Sequence, residues 1–175
     1  MTRFNAKLHV GATALLLLAG LAAPALADDN TKWSDFTKNA AISSMFEIQS
    51  SQLALTKSGD GEVKQFAQQM ITDHQKADAD LKAAVTAAGQ NPAALPTALD
   101  KKHQEMLDKL NRDDSGKSFD TDYTDMQHKA HEHAVKLFRA YAEKGDSAPL
   151  RDFAGKTLPT LKMHEDAAAN LDAKF

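Results

Sequence analysis

The sequence contains no cysteine. That removes thiolate nucleophiles, disulfide bridges and cysteine-based zinc or iron–sulfur sites at once. Glycine and proline are scarce, eight and five in 175 residues, and they gather at a few boundaries instead of recurring as turn signals. No stretch alternates apolar and polar residues at period two, so no strand is expected. A glycine-rich phosphate loop, a dinucleotide-binding glycine pattern and a serine triad signature are all missing. Basic residues do not outnumber acidic ones, 21 against 24, which excludes the basic face that a nucleic-acid partner requires. The reading therefore leans toward binding and away from catalysis.

The first apolar run does not belong to the fold. Met1 to His9 carries Arg3 and Lys7 and no acid, Val10 to Ala23 is apolar, and the stretch ends in Ala-x-Ala at Ala25 and Ala27. This is the pattern of a secretory signal peptide spanning residues 1–27, with cleavage after Ala27. The 14-residue run is shorter than the ~20 residues a membrane helix needs. No integral membrane span is expected after cleavage, and no cysteine follows to carry a lipid. The expectation is an exported, periplasmic domain over residues 28–175. The 21 basic residues lose Arg3 and Lys7 with the leader and become 19 against 24 acidic ones. With no disulfides, its stability rests on a core alone or on a core plus a ligand.

What remains is rich in Ala, Leu, Lys, Gln and Glu, which favour helix. Turns at 57–62, 89–97, 111–120 and 143–149 divide it. Helices are predicted over about 32–57, 62–88, 98–111, 119–143 and 149–172. Asp60 and Ser147 are candidate N-caps, and Thr97 to Asp100 reads as a capping-box-like start. Pro149 suits a first helical turn, and Pro159 lies inside the last helix, where it should kink the helix and free the carbonyl of Gly155. Short connections make the first and last helix pairs hairpins. The predicted fold is all-α, an antiparallel four-helix bundle with one extra short helix in the crossover.

Helical wheels locate the inward polar residues. His74 lies within about 40° of Val63, Met70, Leu81 and Val85. His164 is bracketed in a similar arc of about 40° by Leu150, Phe153, Thr157, Ala168 and Leu171. Glu47 sits among Trp33, Phe36, Ala40 and Ala54, with Ser43, Ser44, Ser50 and Ser51 near the same line. A carboxylate in a core stripe is uncommon because burying it without a partner is unfavourable. On the fourth predicted helix, "HKAHEH" holds His128, His131 and His133. His128 falls about 140° from the apolar face and should be solvated. His131 and His133 flank that face at about 80° on either side, so the wheel does not choose between them. Counted from hairpin turns placed at one common end, Glu47, His74, His131 and His164 share a level within about 10 Å.

Four stretches, "MFEIQSSQLAL", "VKQFAQQMITDH", "FDTDYTDMQHKAHEHAVKLF" and "FAGKTLPTLKMHEDAAANL", resemble the DUF4142 family of exported bacterial proteins. Asp73-His74 and the Leu-Pro-x-Leu-x-x-His run from Leu158 to His164 are the most specific parts. The resemblance spans about Lys32 to Leu171 and implies a ferritin-like helical bundle. It also selects His131 over His133, because the family pattern places a histidine eight residues after Tyr123. The Glu-x-x-His pairs of ferritin-type di-iron proteins are absent, since Ile71 and Leu161 stand three residues before His74 and His164.

Two functional readings follow. In one, Glu47, His74, His131 and His164 hold a single transition-metal ion, not a di-iron pair. Imidazoles with one carboxylate suit zinc, copper, iron, nickel or manganese. Asp78, one turn after His74, is a candidate outer partner, and Met70 and Met126 are nearby soft groups. In the other, the same residues form a buried polar network in a structural envelope protein, or one that binds an envelope protein partner. Tyr123 and Tyr141 read as core, and His103 has no evident partner.

Overall fold

The computed structural model describes residue 1 and residues 32–175; the expected signal peptide lies outside the described residues. Among the described residues there are five α-helices and no strand. They are α1 (Trp33–Lys57), α2 (Gly61–Ala87), α3 (Lys101–Arg112), α4 (Lys117–Lys144) and α5 (Ala148–Asp172), with one 3-10 turn at Pro92–Ala94. Among the described residues, no helix is long and apolar enough to cross a membrane.

The helix starts show which local signals decide. Asp60 caps α2 as expected, accepting from the amides of Glu62 and Val63. The cap of α3 is Asp100, which accepts from the His103 amide at 2.9 Å. The helix therefore opens three residues later than the Thr97 start predicts. Ser147 precedes α5, but its side chain makes no capping bond. Pro149 occupies the first turn there, and the helix runs on through Pro159 without a break.

Each long helix packs against two others. α1 lies on α2 and α4, and α5 lies on α4 and α2. The turn at 58–60 sits beside the start of α4, where the Gly116 amide donates to the Lys57 carbonyl at 2.9 Å. It also sits beside the end of α5, where Lys174 Nζ reaches Asp60 at 2.8 Å. The turn at 145–147 therefore lies at the opposite end of the helices. This corrects the expectation that both hairpin turns share one end, because α3 and its loops carry the chain back along the full length. The shared level of His74 and His131 survives the correction for a simple reason. His74 and His131 are near the middle of helices of 27 and 28 residues, so either end gives the same depth.

Two apolar clusters fill the interior. One gathers Phe36, Leu81, Val85, Phe138, Tyr141 and Phe153, with Phe36 stacked on Tyr141 at 4.0 Å between ring centroids. The other gathers Phe46, Val63, Met70, Phe119, Tyr123 and Met126. Along α2, α4 and α5 the histidines fall in the gap between the clusters. Met70 and Met126 are core filler of the second cluster, and both tyrosines are fully buried.

Candidate metal centre

His74 on α2, His131 on α4 and His164 on α5 are exposed by only 6, 1 and 2%. Their ring centroids form a near-equilateral triangle with sides of 5.9, 5.7 and 5.4 Å. One ring nitrogen from each lies within 4.8 Å of the others. Among the described residues this is the one group of three or more histidine or carboxylate ligand atoms at that spacing.

The hydrogen bonds of the outer nitrogens fix the inner ones of His131 and His164. His131 Nδ1 lies 2.8 Å from the carbonyl oxygen of Gln127. A carbonyl can only accept, so Nδ1 carries the proton and Nε2 keeps a lone pair. His164 Nε2 lies 2.9 Å from Asp73 Oδ2, which leaves its Nδ1 as the free nitrogen. The buried ring nitrogens without a partner are His74 Nε2, His131 Nε2 and His164 Nδ1. Burial, reinforced by the other two imidazoles, holds His74 well below the usual histidine range. Burial also lowers His131 to about 4, against the opposing pull of the Gln127 carbonyl. Both rings are neutral near pH 7 and present lone pairs, the form in which imidazole binds a metal.

Glu47 is 1% exposed but is not part of that triangle. Burial raises its carboxyl to about 8, opposed by a hydrogen bond from Gln127. It belongs to a second polar layer. There the Gln127 amide donates to Ser50 Oγ at 3.0 Å, and the Ser51 and Tyr123 hydroxyls share a hydrogen bond of 2.9 Å. Gln127 joins the layers, its backbone holding His131 and its side chain holding Ser50.

The sequence matches the family described as "Domain of unknown function (DUF4142)" over residues 19–171. The chain belongs to the DUF4142 family. No curated protein matches it. Among solved structures it is similar to CopM in the Cu(II)-bound form, with a TM-score of 0.68 and 15% identity. The similarity covers 82% of this chain and 97% of that one, and at that identity it establishes a shared helical fold.

The DUF4142 chain also places the remaining candidates. His133 is exposed and His131 is buried, in line with the family pattern. His128 is half-buried and 3.3 Å from Asp172 Oδ2, so it is not the fully solvated residue expected. Here the end of α5 covers a face that a single-helix wheel leaves open. His103 has a partner after all, Asp100 Oδ1 at 2.7 Å, and its ring faces Phe46. Asp78 is half-buried, with its carboxyl raised by burial against a hydrogen bond from Ser44, and it lines a small cavity beside His74. The outer carboxylate that does touch an imidazole is Asp73, through His164. Its role in the site was missed. The signal was its place beside His74 on the flank of α2 that meets α5.

Proposed function

We propose that this protein is an exported, ferritin-like four-helix bundle that binds one transition-metal ion at His74, His131 and His164. The observation that carries this reading is the set of three buried, unpartnered ring nitrogens facing one another. His131 Nε2 and His164 Nδ1 are acceptors left without a donor, and His74 Nε2 is unpartnered beside them, an unfavourable arrangement in a dry core. One cation would satisfy all three. Bonds of about 2.0–2.1 Å to a single ion at tetrahedral angles put the three nitrogens about 3.4 Å apart, so ring nitrogens now within 4.8 Å of one another draw together by up to about 1.4 Å on binding.

Asp73 and the Gln127 carbonyl hold the outer nitrogens of two ligands, the arrangement that fixes tautomer and ring orientation around a bound metal. Neutral nitrogen donors suit copper, zinc, nickel and iron, with Cu(II) tightest of the divalent series. The fold shared with a protein solved in a Cu(II)-bound form agrees with that order. Three protein ligands leave a coordination position for water or another small ligand. The polar-network reading applies to the second layer, where Gln127 bonds Ser50 and Glu47, and Ser51 bonds Tyr123, with Glu47 Oε2 and Gln127 Oε1 left unpartnered. Glu47 supports the centre from there.

The test is metal content. The chain, purified without tag or chelator, is expected to take up close to one equivalent of Cu(II) or Zn(II). His74→Ala and His164→Ala are each expected to weaken binding by ~100-fold or more, the loss of one of three ligands. Absence of binding in the native chain, with thermal stability unmoved by either metal, would rule the reading out.

A further inference from the structure

The three imidazoles are closed off along the helix axis by the two apolar clusters, so an ion must reach them from the side. A groove of about 560 Å³ runs between α2 and α5, with Asp73, Asp80 and Asp152 along it beside Lys76 and Lys156. Lys76 is neutralised by Asp80 at 2.6 Å. Deeper in, a cavity of about 30 Å³, room for about one water, has His74, Asp78 and Ser44 in its wall together with Leu81, Phe138 and Leu161 of the first apolar cluster. The groove and the cavity share three wall residues, Ala77, Phe153 and Thr157. One face of these residues therefore meets the open groove and the other meets the chamber at His74. Asp73 is part of this connection. Its side chain is 29% exposed, lines the groove and bonds His164.

We propose that metal enters and leaves the tri-histidine centre through the α2–α5 groove, passing between Ala77 and Thr157 into the cavity at His74. This rests on the reading of the histidines as metal ligands and adds how that site is reached. The groove presents three carboxylates against two ammonium groups, a lining suited to a cation. The residues that groove and cavity share are Ala77 from α2 with Phe153 and Thr157 from α5. Thr157 is held in place by its hydroxyl, which donates to the Phe153 carbonyl at 2.9 Å. Asp73 at the rim gives an arriving ion a carboxylate next to its first imidazole. The route also makes the centre exchangeable, unlike a metal sealed in during folding.

The route predicts a kinetic signature that ligand loss does not produce. Narrowing or widening a passage changes the rates in both directions and leaves the equilibrium alone. Stopped-flow mixing with Cu(II), followed by its absorption band, gives the association rate. Release into excess chelator, at concentrations where the rate no longer depends on chelator, gives the dissociation rate. Ala77→Leu is expected to slow both by about tenfold, and Thr157→Ala to speed both by about threefold, with Kd within about twofold of native in each. The opposite signs keep the test decisive even if Ala77→Leu fails to fold. Native chain that takes up no metal overturns both the site and the route. Normal uptake with neither rate moved by Thr157→Ala overturns the route alone. A change in Kd that accounts for the whole rate change overturns it as well, because the substitutions would then be acting on the site.

Discussion

Two polar layers lie next to each other in the core, and they solve burial in opposite ways. The Glu47 layer contains donors of its own: the Ser51 and Tyr123 hydroxyls pair at 2.9 Å and the Gln127 amide reaches Ser50, leaving Glu47 Oε2 and Gln127 Oε1 unpartnered. Its carboxyl, raised to about 8 by burial, is protonated at neutral pH and brings a further donor. In the histidine layer His131 and His164 spend their donors outward, on Gln127 and Asp73, and three unpartnered ring nitrogens turn inward. A cation serves all three once each ring turns a lone pair inward. Burial of polar groups is therefore not by itself a sign of a binding site. The sign is a buried set of one polarity only, whose complement is missing from the chain.

The largest expected consequence is that the layers respond to pH with opposite sign in the metal-free protein. Glu47 has a folded pKa of about 8 against 4.5 for the free group. Its neutral form is the one the fold accepts, so its contribution is complete below pH 4.5 and is lost as pH rises toward 8. The loss amounts to about 5 kcal/mol, a large part of a typical domain's stability. His131 is depressed from 6.5 to about 4, so its contribution is complete above pH 6.5 and is lost as pH falls toward 4, by about 3 kcal/mol. His74 shifts in the same direction as His131. Urea unfolding between pH 4 and 9 should give a stability maximum between the two limbs. Glu47→Gln is expected to flatten the alkaline limb and leave the acid one. An unchanged alkaline limb in that variant would mean that the carboxyl is not held neutral by burial.

A second comparison separates carboxylates that touch the imidazoles from those that do not. Asp73→Asn keeps a hydrogen-bonding group beside His164 but removes the charge that makes the ring a better donor. It is expected to weaken Cu(II) or Zn(II) binding by about 10–100-fold. Glu47→Gln, one layer away, is expected to change affinity by less than about threefold. Chelator-competition titrations of both variants measure the difference. If the order is reversed, Glu47 is a direct ligand and the two layers are one site.

Much of this was legible in the sequence because helical periodicity reports direction well. The wheels put Glu47, His74 and His164 in core stripes, and all three are buried. Depth and neighbours are less legible. Counting at about 1.5 Å per residue put Glu47, about 11 residues from the first turn, on a level with His74 at about 16, a spacing too coarse to tell adjacent layers apart. The wheel sets Asp73 on the flank of α2, and only the packing of α5 against that flank gives it His164 as a partner. His128 follows the same pattern with Asp172. His131 and His133 were symmetric on their own helix, and the family pattern separated them before burial did. Ser147 shows the reverse limit, since a good capping residue at the right position makes no capping bond.

The smallest expected effect tests whether the layers are independent. Tyr123 and Ser51 are fully buried, and their shared hydrogen bond lies in the Glu47 layer. Tyr123→Phe removes one hydroxyl and keeps the ring that packs parallel to Phe119 at 5.7 Å. Ser51 can turn its hydroxyl toward a carbonyl one turn back on α1, so the orphaned group finds a partner. The expected loss is about 1 kcal/mol, seen as a fall of about 2–4 °C in Tm. Metal affinity should not move, because neither hydroxyl touches an imidazole or the residues that orient one. The link that could carry an effect is Gln127, whose carbonyl holds His131 while its amide holds Ser50. A tenfold loss of metal affinity in Tyr123→Phe would show the strain passing through that residue, and the closed layer would then be part of the open one's support.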